Sequence, residues 1–361
     1  MSTDKQTMDR KKLAPIEYVG LVMVALSIVV LLFFQEGFSG IYNAMFNRAF
    51  QIFGFYLFDR NLGAAIVVSV MTGRILERLG FTDALMRLFV PLMKYIKVNS
   101  TIVVGVIYNI LGDVNASGRI AAPVVMKAGC TKDEQRIAIA TLCQAPCSFS
   151  IIVFGIMALT YAKVSVFPVI IVGLILPIFV VPLFLRLFWR DTKAVDISEL
   201  PRFTPTTSPM DTIFGAAREG AQLVFLFIIP AGVVIFSIIG ALEHFGIWQP
   251  ISGILNSFLG AVGIEPESGV LTIITSNTLA MSSLAQTLQE GTQIMPRLVV
   301  GSFVLANSAF PIQVPFGQIP AVWSPILDLS ESECMVAAVV GCIIRLVYAI
   351  LCAFLLTPLV S

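Results

Sequence analysis

Residues 137–162 read IAIATLCQAPCSFSIIVFGIMALTYA, and no Asp, Glu, Lys or Arg occurs among them. A charge-free run longer than the ~20 helical residues that cross bilayer hydrocarbon reads as a membrane span. The stretches 164–185, 221–242 and 298–327 are equally free of charge. Composition agrees. Of 361 residues, 57% are hydrophobic and 12% charged, about half the ~25% charged fraction of soluble domains. A soluble fold of this length could not hide so much apolar surface.

Outward from that run, spans are expected near 16–35, 60–79, 137–162, 164–186, 219–242, 297–316 and 333–358. The first follows Lys5, Arg10, Lys11 and Lys12 and is too long for a signal-peptide core, so it is read as uncleaved. Arg74, Glu77 and Arg78 crowd the end of the second. Two further apolar regions, 98–128 and 267–290, are each interrupted by polar residues, as in re-entrant hairpins or broken helices. Segments 84–97 and 247–262 look amphipathic and suit the membrane interface. In the former, Leu85, Leu88, Phe89 and Leu92 oppose Arg87, Lys94 and Lys97.

Lys and Arg collect in the N-terminal tail, in 86–97 and in 186–218 (Arg186, Arg190, Lys193, Arg202, Arg218). By the positive-inside rule these are cytoplasmic, which expects an inner-membrane, multi-pass chain with its N-terminus in the cytoplasm. The polar stretch 191–211, with Pro201, Pro205 and Pro209, reads as a linker between two halves. Leu76-Glu77-Arg78-Leu79-Gly80 recurs as Leu242-Glu243-His244-Phe245-Gly246, a displacement of 242 − 76 = 166 residues. Each copy precedes an interfacial helix and an interrupted apolar segment. Gln144-Ala145-Pro146 after the first interruption is matched by Asn307, Ser308 and Pro311 after the second. Three spans plus one hairpin per half force the second copy to enter from the opposite side.

The expectation is an all-α polytopic membrane protein with about seven full transmembrane helices and two re-entrant hairpins. They form two inverted repeats with an extra N-terminal helix. The division is 1–49 (tail and first helix), 50–190 (first repeat), 191–211 (linker) and 212–361 (second repeat). This plan, together with Gly112-Asp113-Val114-Asn115-Ala116-Ser117-Gly118-Arg119, resembles the Gate, or nucleoside-recognition, domain superfamily, over roughly residues 50–360. That superfamily holds concentrative nucleoside transporters, ferrous-iron permeases and spore-maturation proteins. The resemblance implies a carrier fold and, more loosely, a nucleoside-like solute. The chain has no GxxxxGK[ST] loop, so the GTPase module of the iron permeases is missing and iron transport is disfavoured.

A central Asp or Arg in a membrane helix costs ~2.5–3.5 kcal/mol on insertion scales. Asp113, Asn115, Ser117 and Arg119 therefore need a partner or a wet cavity. One reading pairs Asp113 with Arg119 structurally. The other has Asp113 coordinate Na⁺ or exchange a proton while Asn115, Ser117 and Arg119 bind a polar or anionic group. The second interruption offers Asn277, Thr278, Ser282, Ser283 and Gln286, neutral groups that both donate and accept. Gln144 and Ser148 flank Pro146, and Asn307, Ser308 and Gln313 flank Pro311. A proline frees a carbonyl for a ligand, or simply kinks the helix.

Cys143 and Cys147 lie one turn apart and could hold a soft metal, but no His or carboxylate accompanies them, and His244 is alone. Net charge is +1 with no basic patch, which excludes nucleic acid as a partner. No GxSxG or HExxH pattern occurs, so no enzymatic activity is expected. The chain reads as a Na⁺- or H⁺-coupled secondary transporter of a small polar solute, with no cofactor beyond the coupling ion. Its partners are the lipid bilayer and that solute, with room for a homo-oligomer or a membrane partner. The alternatives are a non-transporting scaffold of the spore-maturation type and, after it, a divalent-metal permease.

Overall fold

Every element of the computed structural model is helical, and no strand occurs among the described residues, which are 14–51, 54, 62–111, 114–193, 202 and 204–361. The all-α expectation is met. Among the described residues three helices are long and apolar enough to cross a membrane, Pro15–Phe33, Val166–Leu185 and Glu331–Val360, or four if the bent pair Gly232–His244 and Trp248–Ala261 is one span. The shortfall from seven has physical causes. Spans expected as continuous at 137–162 and 297–316 are broken, that at 60–79 ends in Arg74, Glu77 and Arg78, and that at 219–242 is interrupted by a π-turn and bends at its end into the next helix.

The chain opens with α1 (Pro15–Phe33) and α2 (Gln35–Gln51). No residue of α1 is buried, and the helix packs on α2. Next, α3 (Leu62–Arg78) turns at Gly80, φ 82°, a left-handed conformation that glycine adopts freely, into α4 (Phe81–Ile96). The inward stripe of α4 is Met86, Phe89, Val90, Met93 and Ile96, whereas Leu88 and Leu92 point outwards. The apolar face expected from Leu85, Leu88, Phe89 and Leu92 is thereby corrected. Large apolar residues occur on both the buried and the exposed sides of α4, so hydropathy misplaces its inner face.

The first hairpin pairs α5 (Ile102–Leu111) with α6 (Val114–Lys127). Ser117 Oγ donates across it to the Gly105 carbonyl at 2.6 Å, so the arms, joined in sequence by residues 112 and 113, run antiparallel. Those two residues lie outside the described set. A capping box at Thr131 and Glu134 starts α7 (Lys132–Leu142). Glu134 is fully buried and its carboxylate also takes the amides of Asn99 (3.0 Å) and Lys193 (2.8 Å). A break then leads into α8 (Phe149–Tyr161), followed by α9 (Val166–Ile170) and α10 (Pro177–Leu185), which are joined by a π-helical turn. The ends of the linker are fastened to this side: Thr204 bonds Asp83, and Arg78 Nε donates to the Thr207 carbonyl at 2.7 Å.

The later part runs α11 (Pro209–Gln222), a π-turn, α12 (Ile229–His244), α13 (Trp248–Ala261), α14 (Pro266–Ile274), α15 (Asn277–Gln289), α16 (Pro296–Ala306), α17 (Ile319–Trp323), α18 (Glu331–Leu351) and α19 (Thr357–Val360). Between α12 and α13 the axis bends by 116° at Gly246, φ 71°. Ser283 Oγ contacts Glu267 Oε1 at 3.3 Å, which makes α14 and α15 an antiparallel hairpin about Thr275–Ser276. The order of elements from α3 to α10 is met again from α12 to α19: helix, glycine turn, helix, hairpin, broken helix, long apolar helix.

Helices α2 and α3 lie along α12 and α11 respectively. A Cβ on Gly220 would meet Val67 Cα at 2.8 Å, and one on Gly240 would meet the Ala44 carbonyl at 2.5 Å. Arg48 pairs with Glu243 at 3.0 Å and Arg74 with Glu219. The interior forms two apolar clusters, and Cys147 and Phe310, both in helix breaks, pack against each of them.

Candidate functional site at the helix breaks

Pro146 lacks the amide a helix needs and disfavours helical geometry in the residue before it, so α7 stops at Leu142 and Ser148 caps the N-terminus of α8. After α16, Asn307 leaves helical geometry (φ −77°, ψ 61°) and Pro311 follows. In the second hairpin Ser276 caps α15, its Oγ accepting from the Leu279 amide at 3.4 Å.

These three breaks are laced to one another. The Ala309 amide donates to the Cys143 carbonyl (3.3 Å) and the Ile312 amide to the Ile273 carbonyl (2.9 Å). Asn277 Nδ2 donates to the Ser308 carbonyl at 2.6 Å, which Cys147 Sγ also reaches at 3.2 Å. Gln313 Nε2 donates to the Thr275 carbonyl at 3.2 Å. Ser148, Ser150 and Thr278 form a hydroxyl chain with steps of 2.7 and 3.1 Å. Leu111, at the end of the first hairpin's arm, and Phe149 both border Gly73 of α3.

The side-chain amides at this junction share one orientation. Gln144 Nε2 donates to the carbonyls of Ala140 (3.0 Å) and Gly341 (2.9 Å), and Asn307 Nδ2 to that of Phe303 (2.7 Å). Their nitrogens and that of Asn277 are thus spent on backbone, while Gln144 Oε1, Asn307 Oδ1 and Asn277 Oδ1 are buried without a partner. An unsatisfied buried acceptor costs about 1–3 kcal/mol. Such oxygens can take the donors of a solute or ligate a hard cation.

Of the expected residues, Gln144, Ser148, Asn277, Thr278, Asn307, Ser308 and Gln313 are brought together here. Ser308 Oγ turns back to the Leu305 carbonyl at 2.5 Å and Ser282 Oγ to that of Leu279 at 3.0 Å, both spent locally. Ser283 faces Glu267, which lines a cavity of about 750 Å³ with Arg48, Trp248, Glu265 and Thr275. That cavity reaches the second hairpin's break at Thr275. Gln286 carries a buried unpartnered oxygen on α15. Ser117 serves the first hairpin, Asn115 is half-buried and Arg119 is exposed. Asp113 lies outside the described residues.

Cys143 and Cys147 each contact a carbonyl, of Ala338 and Ser308 respectively. No group of three metal-ligating side chains occurs among the described residues. The His244 ring lies against Gly40, where a Cβ would meet it at 2.7 Å. Burial pushes the Cys130 thiol, at the foot of the first hairpin beside Thr101, up to about 12.

Two buried groups escape a sequence reading. Asn109 on α5 is fully buried with neither amide atom partnered. Arg345 on α18 is fully buried, donates from Nε to the Val304 carbonyl at 2.7 Å, and leaves Nη1 and Nη2 without partners. The usable signal was a lone Arg between Ser330 and Ser361, amid apolar residues. No protein-family model matches the chain, and no characterised protein matches it in sequence.

Proposed function

We propose that this chain is a membrane carrier that moves a small polar solute by alternating access, coupled to Na⁺ or H⁺. The supporting observation is the junction of three helix breaks, where buried amide oxygens face no protein donor while their nitrogens are fixed to backbone carbonyls. Irregular backbone at membrane depth is tolerated where it lines a cavity or is buried in protein, and carriers place their sites at such discontinuities. In this reading the recurring element order is an inverted repeat, and the two hairpins are re-entrant segments entering from opposite sides. Asp113, in the first hairpin, carries the coupling charge. The solute enters through the cavity that ends at Thr275.

The test is uptake into proteoliposomes under imposed Na⁺ and proton gradients, comparing wild type with Asp113→Asn. Gradient-driven uptake that Asp113→Asn loses while staying folded supports the reading. Folded wild-type protein that moves no solute in either gradient defeats it. A partner-binding scaffold is the second reading, favoured by α1, which buries none of its residues in the chain. It predicts that Asp113→Asn alters stability alone.

A further inference from the structure

Arg345 belongs to the face of α18 formed by Ala338, Gly341, Cys342 and Arg345, spaced to lie on one side of a helix. This face packs on the junction: Cys143 Sγ contacts the Ala338 carbonyl, Gln144 Nε2 the Gly341 carbonyl, and Cys342 Sγ the Ala309 carbonyl. Arg345 follows Gly341 by one turn. Val304, whose carbonyl it takes, precedes Asn307 by one turn on α16. The guanidinium therefore lies against α16 within about one turn of the break at Asn307, on the face of α18 that also holds Gln144 through the Gly341 carbonyl. No carboxylate pairs with Arg345 among the described residues, and Nη1 and Nη2 are buried and unpartnered. A guanidinium stays charged at any physiological pH, and a buried charge calls for a counter-charge.

We infer that Arg345 is the anion-recognising residue of the carrier site, and that the solute bears a carboxylate or phosphate next to hydrogen-bond donors. The inference rests on the carrier reading and narrows its substrate class. Two adjacent guanidinium N–H groups match two oxygens of one anionic group in a bidentate contact. The unpartnered oxygens of Gln144 and Asn307 repel an anion but accept from hydroxyl or amino groups. One fixed cation with acceptors about a helical turn away thus selects hydroxy or amino acids, or phosphorylated polyols, over neutral nucleosides.

Thermal-shift titration of purified wild type decides it with no variant at all. The probes are lactate, malate, glycine and glycerol 3-phosphate, each against the counterpart that lacks its anionic group, lactamide, malamide, glycinamide and glycerol; uridine is added as a neutral nucleoside. At least one acid should bind about tenfold or more tightly than its counterpart. Arg345→Met should weaken that acid about 100-fold, with Arg345→Lys intermediate. Because Arg345→Met removes an unpaired buried charge, it should be as stable as wild type without ligand. Carboxylate against phosphate hits identify which anion is read.

The inference is overturned if no acid stabilises the protein, if counterparts or uridine stabilise it equally, or if Arg345→Met keeps acid affinity. Proteoliposome uptake separates the two claims. Acid binding without transport of any solute removes the carrier reading but leaves the anion site, whereas wild-type uptake of uridine with no acid bound or carried keeps the carrier and removes the anion site.

Discussion

Asn277, the first residue of the second hairpin's return arm, holds the carbonyl of Ser308 in the break after α16 at 2.6 Å, across 31 residues of chain. Asn277→Asp keeps the shape but replaces the donor by acceptor oxygens facing a carbonyl. A lost buried bond with an unsatisfied partner costs about 1–3 kcal/mol, so unfolding in detergent should occur at lower temperature, and uptake should fall further than stability does. An unchanged melting temperature would show that this bond does not hold the junction.

Arg74 binds Glu219 of α11 and Glu77 of its own helix, the latter at 2.6 Å. Glu77 is 4% exposed. Removing the cation alone, Arg74→Leu, leaves that carboxylate buried without its charge partner and should destabilise by about 3 kcal/mol. The double variant Arg74→Leu/Glu77→Leu should recover much of the loss. Denaturant unfolding in mild detergent measures both, and equal losses in the single and double variants would contradict the buried-pair account.

Gly341 and Gly253 are both helical glycines with opposite surroundings. A Cβ on Gly341 would meet the Ala140 carbonyl at 2.5 Å and Cys143 Cβ at 2.9 Å, whereas nothing lies within 4 Å of one on Gly253. Gly341→Ala should overpack the α7–α18 contact at a cost of about 1–3 kcal/mol and dislodge Gln144 from the Gly341 carbonyl. Gly253→Ala should be neutral or stabilise by up to ~1 kcal/mol through helix propensity. Melting temperatures of the pair provide the check.

The raised thiol of Cys130 predicts chemistry as well as stability. Buried and shifted up to about 12, it stays protonated where an ordinary thiol, near 9, is ionised. Maleimide labelling of folded protein should be slow at pH 7–9 and become fast on unfolding. The unfolded chain releases this proton first, so between pH 9 and 12 it binds fewer protons than the folded chain and stability falls as pH rises. Thr101→Ala, which removes the hydroxyl 3.1 Å from the sulfur, should raise the thiol further.

Hydropathy suffices for the helical class and for both interruptions, because each is written in charge and apolar runs. It is a poor guide to continuity. Pro146 and Pro311 were visible in the sequence, yet the spans drawn through them ran on, since apolar residues continue on both sides of each break. Among the candidate residues, Gln144, Asn277 and Asn307 were legible as amides beside breaks. Their common orientation, nitrogen to backbone and oxygen unpartnered, depends on which carbonyls the fold brings near. Arg345 and Asn109 stayed hidden because one polar residue hardly alters the average over a long apolar helix, and only packing shows that these two are enclosed by protein.

The seam between α2–α3 and α11–α12 is clamped by Gly220 and Gly240 and tied by Arg48–Glu243 and Arg74–Glu219. Each side of the seam therefore supplies the surface on which the other's helices rest. A chain severed within 194–201 would yield two fragments, one exposing the glycine-bearing faces of α11 and α12 and the other the faces of α2 and α3 that cover them. Made separately, such fragments should be insoluble or degraded; made together in one cell, they should reassemble and co-purify, so that the molecule behaves as a dimer of its own halves held on one thread.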